Sequence, residues 1–232
     1  MLTAIKRSSV LIAVALVAAG CGGADKDKPR AKSKIPHSLR IVESGAENTT
    51  DFVLAGERAK AVRSANALDG AAQGQAAKDL ADAGVPAAQI DELKTRSAAL
   101  AKIVARGKPI VVALAANRAF ELVPDFYTAY SDRVPAQVTR LDYLDFEAKL
   151  RALAGDRGRV ADAVSGLRVA WKELRKKVRR AGAGGSAAKD HFDAHVRAMR
   201  DLVDAVASTA RIAREAQHGL DLVDEIENVY TG

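Results

Sequence analysis

Apolar residues recur at alternating three- and four-residue steps along one stretch of the chain. They are Tyr143, Phe146, Leu150, Leu153, Val160, Val164, Leu167, Trp171, Leu174 and Val178, with Arg157 as one polar rung. A 3.5-residue period sustained for about 36 residues marks a helix that keeps one narrow stripe against partner helices. The pattern predicts a helix over 135–181, opened by Pro135. Gly155-Asp156-Arg157-Gly158 admits a bend or a loop, but the register runs through it and continuity is expected.

The same spacing continues in Phe192, Val196, Met199, Val203, Val206, Ala210 and Ala213, then Leu220, Val223, Ile226 and Tyr230, predicting a helix over 186–230. Ala181 to Gly185 supplies glycine C-cap chemistry before it, and Ser186 caps it. Upstream, Pro86 opens a helix over 86–130 whose inner face carries Ile90, Leu93, Leu100 and Val104, with disturbances at Gly107-Lys108-Pro109 and at Pro124. Asn48 to Asp51 offer N-caps for a first helix over 51–83, whose apolar face is mostly alanine and which Gly84 ends. Short connections make consecutive helices antiparallel neighbours. The expected fold is all-α, an up-down-up-down four-helix bundle of long helices over 50–232.

That topology sets an expectation for the two ends. Helix one's start, the turn at Ser131 and the C-terminus should share one end, with Gly84 and Gly184 at the other. Phe52, Phe120, Phe126, Tyr127, Tyr130, Tyr143, Phe146 and Tyr230 should then gather at the first end, leaving Trp171 and Phe192 at the far one.

Composition agrees with helices: 48% of residues are hydrophobic, only 4% are aromatic, and alanine is abundant. The formal net charge is +7. Removing residues 1–20 would take away Lys6 and Arg7 and no acid, leaving a mild excess that names no partner.

Lys6 and Arg7 precede an apolar run, Val10 to Ala19, that ends in Gly20-Cys21. A basic n-region, a short apolar core and a small-residue exit are the parts of an export signal. The run is far short of the roughly 20 residues a spanning helix needs. Val17-Ala18-Ala19-Gly20-Cys21 resembles the lipobox of bacterial prolipoproteins, with Ala18 where that family usually has Leu or Val. The resemblance implies a lipidated Cys21, removal of residues 1–20 and a mature chain anchored to a membrane by lipid. With Gly22 rather than Asp after the cysteine, it also implies outer-membrane sorting in a Gram-negative cell. The alternative is an ordinary secretory signal. Cys21 is the only cysteine, so no disulfide competes for it.

Residues 21–49 are rich in Gly, Lys, Asp and Ser with little periodicity, which predicts a flexible linker with a typical reach of about 30 Å. Its basic residues 26–34 also suit anionic headgroups. Farther on, Tyr127, Tyr130 and the acid-rich Asp142-Tyr143-Leu144-Asp145 resemble the YiiG-like family of bacterial helical lipoproteins over about residues 110–180. That likeness implies a lipoprotein bundle and no particular chemistry.

Four sets of residues are candidates for function. His191 and His195 stand one helical turn apart, a spacing at which two imidazoles share a metal, with Asp190 and Asp193 nearby. Glu215-Ala-Gln-His218 matches half of a di-iron Glu-x-x-His pair, and Glu121 and Glu147 fall at a similar height, although the chain has no second such motif. Lys172, Arg175, Lys176, Lys177, Arg179 and Arg180 place cations at a helix C-terminus, where they meet the helix dipole. On the long-helix layout they would face away from the membrane, toward an acidic envelope polymer or an envelope protein. Phe126, Tyr127, Tyr130, Tyr143, Phe146 and Tyr230 form either a ligand cleft or an aromatic core layer.

No cofactor is expected: His-x-x-Glu, Cys-x-x-Cys-His and a phosphate loop are all missing from the sequence. An export signal also argues against nucleic acid as a partner. The leading expectation is a non-enzymatic, lipid-anchored envelope scaffold or interaction module. The alternative is an envelope binding lipoprotein for a metal ion or small ligand.

Overall fold

The structure, a computed structural model, describes residues 33–232. The export signal, Cys21 and the first part of the expected linker lie outside the described residues. Lys32–Gly232 forms one compact unit, and three buried apolar clusters lie within it. The elements are α1 (His37–Leu54), α2 (Arg58–Gln73), α3 (Gln75–Asp82), α4 (Ala87–Ile103) and α5 (Pro109–Phe120), followed by α6 (Val123–Tyr127), α7 (Ala136–Leu153), α8 (Arg157–Val178), α9 (Gly185–Asp204) and α10 (Thr209–Thr231).

The chain is all-helical in these residues, as expected. The long helices are not. Three of the four expected long helices are folded into hairpins, α4–α5, α7–α8 and α9–α10; the first, expected over 51–83, is the end of α1 followed by α2 and α3, and α1 with α2 makes a fourth hairpin. Contacts across each turn are those of antiparallel arms. Gly45 meets Leu68, Arg96 reaches Glu121, Leu144 meets Gly166, and His195 bonds Glu215.

Local chemistry makes these turns. Gly56 and Gly155 take left-handed φ values of 79° and 77°. The amides that follow close back onto the helix, Glu57 N–H on Phe52 O at 2.7 Å and Asp156 N–H on Arg151 O at 2.9 Å. This is the glycine C-cap, which satisfies carbonyls that the helix end leaves free. Asp156 then caps α8 by accepting from the Arg159 amide. Ala207 N–H closes on Leu202 O at 2.9 Å in the same way, with Val206 in the left-handed position at φ 50°.

The expectation of one helix through Gly155–Gly158 is therefore corrected. The arms of α7 and α8 face each other, so one three-four stripe serves both and the apolar register survives the turn. Leu153, a predicted seam residue at the turn, is 52% exposed.

The expected linker up to Thr49 is also corrected, because α1 begins at His37. Its buried face includes Ser38, Gly45, Thr49 and Thr50 beside Leu39, Val42 and Val53, so its apolar signal is weak. The Thr49 and Thr50 hydroxyls donate to Gly45 O at 2.6 Å and Ala46 O at 3.1 Å, which removes the cost of burying them.

The helices close into two rings of four. In the first, α1, α2, α4 and α5 are successive neighbours and α5 returns to α1; in the second, α7, α8, α9 and α10 do the same and α10 returns to α7. The rings are built alike. Pro36 and Pro135 are the N-caps of α1 and α7, both 18 residues long. At the same interval, Leu54-Ala55-Gly56-Glu57-Arg58 is echoed by Leu153-Ala154-Gly155-Asp156-Arg157. Arg58 donates to Val104 O at 2.8 Å and Arg157 donates to Ala207 O at 2.9 Å, each tying its own turn to that of the next hairpin. The two halves thus repeat one plan.

Two poles follow from the hairpins. At the entry pole, Ser131 N–H bonds Ser33 O at 2.8 Å, Arg40 pairs with Asp132, and Val134, Val178 and Val229 share one cluster. At the turn pole lie Gly56, Gly107, Gly155 and Ala207. The C-terminus and the Ser131 turn share an end as expected. Gly184 and Gly84 are both corrected: Gly184 lies against Val229 at the entry pole, and α3, which Gly84 follows, is bonded there through Asp79 by Ser38 and Tyr130.

Candidate functional site

Three helices of the second ring converge on His195. α9 brings in the imidazole, which is 1% exposed, α7 supplies Asp145 at 0%, and α10 supplies Glu215 and His218. His195 Nε2 lies 3.0 Å from Asp145 Oδ1, and its Nδ1 lies 2.9 Å from Glu215 Oε1. His218 Nδ1 is 3.6 Å from the same Glu215 oxygen and faces solvent. One ligand atom from each of His195, Glu215 and His218 falls within 4.8 Å of the others.

The packing around this group is specific. Phe192 stands edge-on to the His195 ring at 5.2 Å, and the His195 and His218 rings lie 6.2 Å apart and nearly perpendicular. Gly219, on α10, lies directly against the site: a Cβ there would overlap both His195 Nε2 and the Asp145 carboxylate. Only a residue without a side chain lets α10 come this close. Asp145 Oδ2 is buried without a hydrogen-bond partner.

The surrounding acids favour the charged form of His195. Burial disfavours a charged imidazole, yet the hydrogen bonds to Asp145 and Glu215 win and hold His195 up at about 9. Burial raises the Asp145 carboxyl, and His195 only partly offsets it. The hydrogen bond from His195 keeps Glu215 below the usual carboxylate range. The buried imidazole is thus held between two acids, each within hydrogen-bond distance of one ring nitrogen. When the neutral ring carries its proton on Nε2, donating to Asp145, the Nδ1 lone pair faces Glu215 and His218. Metal-bound histidines are held this way, with a carboxylate behind the ring.

Beside Glu215 a groove of about 510 Å³ opens between α9 and α10, lined by Leu202, Asp201, Arg211 and Arg214 among others. A second cleft, of about 330 Å³, lies between α1, α7 and α10 and is lined by Glu43, Glu47, Asp142, Asp221, Asp224 and Glu227. In it burial and Glu43 push Glu47 up to about 7, and burial with Glu47 raises Asp142.

Of the sequence candidates, His195, Glu215 and His218 come together. His191 does not. It is exposed and pairs with Glu225 at 3.0 Å, because one helical turn along α9 carries it out of the core. Glu121 and Glu147 are taken by Arg96 and Arg151, so no di-metal set forms. Asp190 binds Lys189, and Asp193 accepts the Trp171 Nε1–H at 2.6 Å.

Phe126, Tyr127, Tyr130 and Phe146 join Phe120 in one buried cluster, with Tyr143 packed against it. Phe120 meets Tyr143 and Phe146 edge-on at 6.5 and 6.2 Å. These aromatics fill core. Tyr230 packs on the other cluster with Trp171 and Phe192, and Phe52 belongs to the last turn before Gly56, so the aromatic division expected between the two ends is corrected.

Lys172, Arg175, Lys176, Lys177, Arg179 and Arg180 are all exposed. They end α8 at the entry pole, not at the opposite one, because the hairpin at Gly155 brings α8 back beside the start of α7. Cys21 lies outside the described residues.

Asp145 was not among the sequence candidates. Its signal is present, since Val138, Leu141, Asp145, Ala148 and Ala152 form the buried stripe of α7 and one slot holds an acid. An acid in a core stripe needs a partner on a neighbouring helix.

Family models, curated proteins and solved structures were all compared with the chain. None matches. The functional reading accordingly rests on the site's own geometry.

Proposed function

We propose that this chain is an exported, lipid-anchored helical lipoprotein whose body binds a divalent transition-metal ion. The observation that carries the metal reading is the convergence of His195 Nδ1, Glu215 and His218, with Asp145 behind the buried ring. Two imidazoles and a carboxylate suit zinc, cobalt, nickel or copper better than magnesium or calcium, which favour all-oxygen sets. Three protein ligands leave a fourth position toward the exposed side of His218.

The assigned role is binding, without a catalytic step. The lipid anchor is supported by the lipobox-like Val17–Cys21 run, and among the described residues no helix is long and apolar enough to cross a membrane. Each ring is read as an up-down-up-down bundle, a scaffold in which ligands on facing helices are held rigidly.

Equilibrium dialysis of the purified protein against zinc tests the site. One ion per chain is expected, with binding lost in His195→Ala and His218→Ala and kept in His191→Ala. Equal binding by all four proteins would return the chain to the scaffold reading. Replacing Cys21 by Ser should release the protein from the membrane fraction, and unchanged lipid labelling would sink the anchor.

A further inference from the structure

The entry pole carries a concentration of unpaired positive charge. Lys172, Arg175, Lys176, Lys177, Arg179 and Arg180 are exposed, and none stands within ion-pair distance of a carboxylate among the described residues. The helix dipole accounts for a cation or two at a C-terminus, since its effect fades within the last turn. Six spread over the last three turns exceed that need. Lys34 and Arg133 line a shallow hollow at the same pole. Of the acids nearby, Asp132 is engaged by Arg40 and Asp190 by Lys189, and Glu173 is the one acid within the run.

The pole is also where the chain enters the body. Ser33 is hydrogen-bonded to Ser131, and Val134, three residues on, shares a cluster with Val178 at the base of the basic run. About a dozen residues separate Cys21 from Ser33, a span of at most about 40 Å when fully extended. Four of them, Lys26, Lys28, Arg30 and Lys32, are basic against Asp25 and Asp27, and Lys34 adjoins them.

We infer that the entry pole is a docking surface for an anionic phospholipid bilayer, seating the body with α8's end against the headgroups. The orientation rests on the lipid-anchored reading; the affinity of the pole for lipid does not. A juxtamembrane cluster of this size gains binding energy from each cation near an anionic surface. The metal site, placed midway along α7, α9 and α10, stays clear of the headgroups.

Co-sedimentation of the chain beginning at Gly22 with lipid vesicles tests this. That chain keeps the compact unit and its approach segment but lacks Cys21 and the apolar run, so its binding is independent of acylation. Vesicles of phosphatidylcholine with phosphatidylglycerol should bind it, and pure phosphatidylcholine should not. Reversing the pole with K176E, K177E, R179E and R180E should weaken binding at least about tenfold. Reversing the turn pole with K102E, R106E and K108E should leave it unchanged. Circular dichroism checks that each variant is folded, and glutamine replaces glutamate at any position that disturbs the fold. Equal loss in the two sets, no preference for phosphatidylglycerol, or binding to polyphosphate without binding to vesicles would overturn the inference.

Discussion

His195 and Asp145 meet across 3.0 Å in the interior of the second ring, one from α9 and one from α7. The bond holds Nε2 toward α7 and thereby aims Nδ1 at Glu215 and His218. Asp145 is thus a positioning residue for the ligand set, and Asp145→Asn keeps its shape while removing its charge. The variant should bind zinc about 10–100-fold more weakly with His218 still accessible to modification. Competitive titration against a chromophoric chelator measures this, and unchanged affinity would mean that the ring is oriented by packing alone.

Gly219 provides a test that does not involve metal. A Cβ there overlaps His195 and Asp145, whereas one at Gly70 meets nothing within 4 Å. Gly219→Ala should cost about 1–3 kcal/mol by overpacking. Gly70→Ala, in the interior of α2, should stabilise by up to about 1 kcal/mol. Urea denaturation of the two variants should therefore move the midpoint in opposite directions.

Val206 is 68% exposed and sits at φ 50°, where a β-branched side chain crowds its own backbone. Glycine at this position suits the α9–α10 turn. Val206→Gly should raise the melting temperature, with a gain of about 1 kcal/mol. A lower melting temperature would mean that the valine makes a contact worth more than the strain.

The acidic cleft predicts a pH dependence. Glu47 is faced by Glu43 and Asp51 on its own helix, by Asp142 on α7 and by Glu227 on α10, and burial with this crowding raises it to about 7. Arg40 and Lys149 are the nearby cations. The folded state then holds a proton that the unfolded chain releases near its ordinary value, 4.5. Stability from this group is full below that value and falls as pH rises through about 7. Glu47→Gln should flatten the fall in melting temperature across this window, and an unchanged slope would place the proton elsewhere.

The sequence made the helical class plain, because three-four spacing and the scarcity of aromatics speak of helices wherever they occur. Hairpins were hidden by the same spacing. When two arms of a hairpin share one core, the stripe continues through the turn, and only local signs such as the glycine at 155 and the exposed Leu153 betray the fold-back. His195, Glu215 and His218 were legible as ligand types but not as one group, since the turn at Ala205–Ser208 is what brings α9 against α10. His191 looked equivalent to His195 because helical spacing alone does not say which of two adjacent turns meets the core. The shared plan of the two rings was hidden because their helix faces carry different residues, and only the two turn motifs are alike in sequence.

Cobalt substitution tests the central claim most directly. Titrating the protein with cobalt(II) should give the visible absorption of a low-symmetry, nitrogen- and oxygen-ligated ion, saturating at one equivalent. The bands should vanish in Glu215→Ala and His195→Ala and persist in His191→Ala. A spectrum that stays that of the hexaaqua ion at saturation, or one unaffected by Glu215→Ala and His195→Ala, would contradict the account.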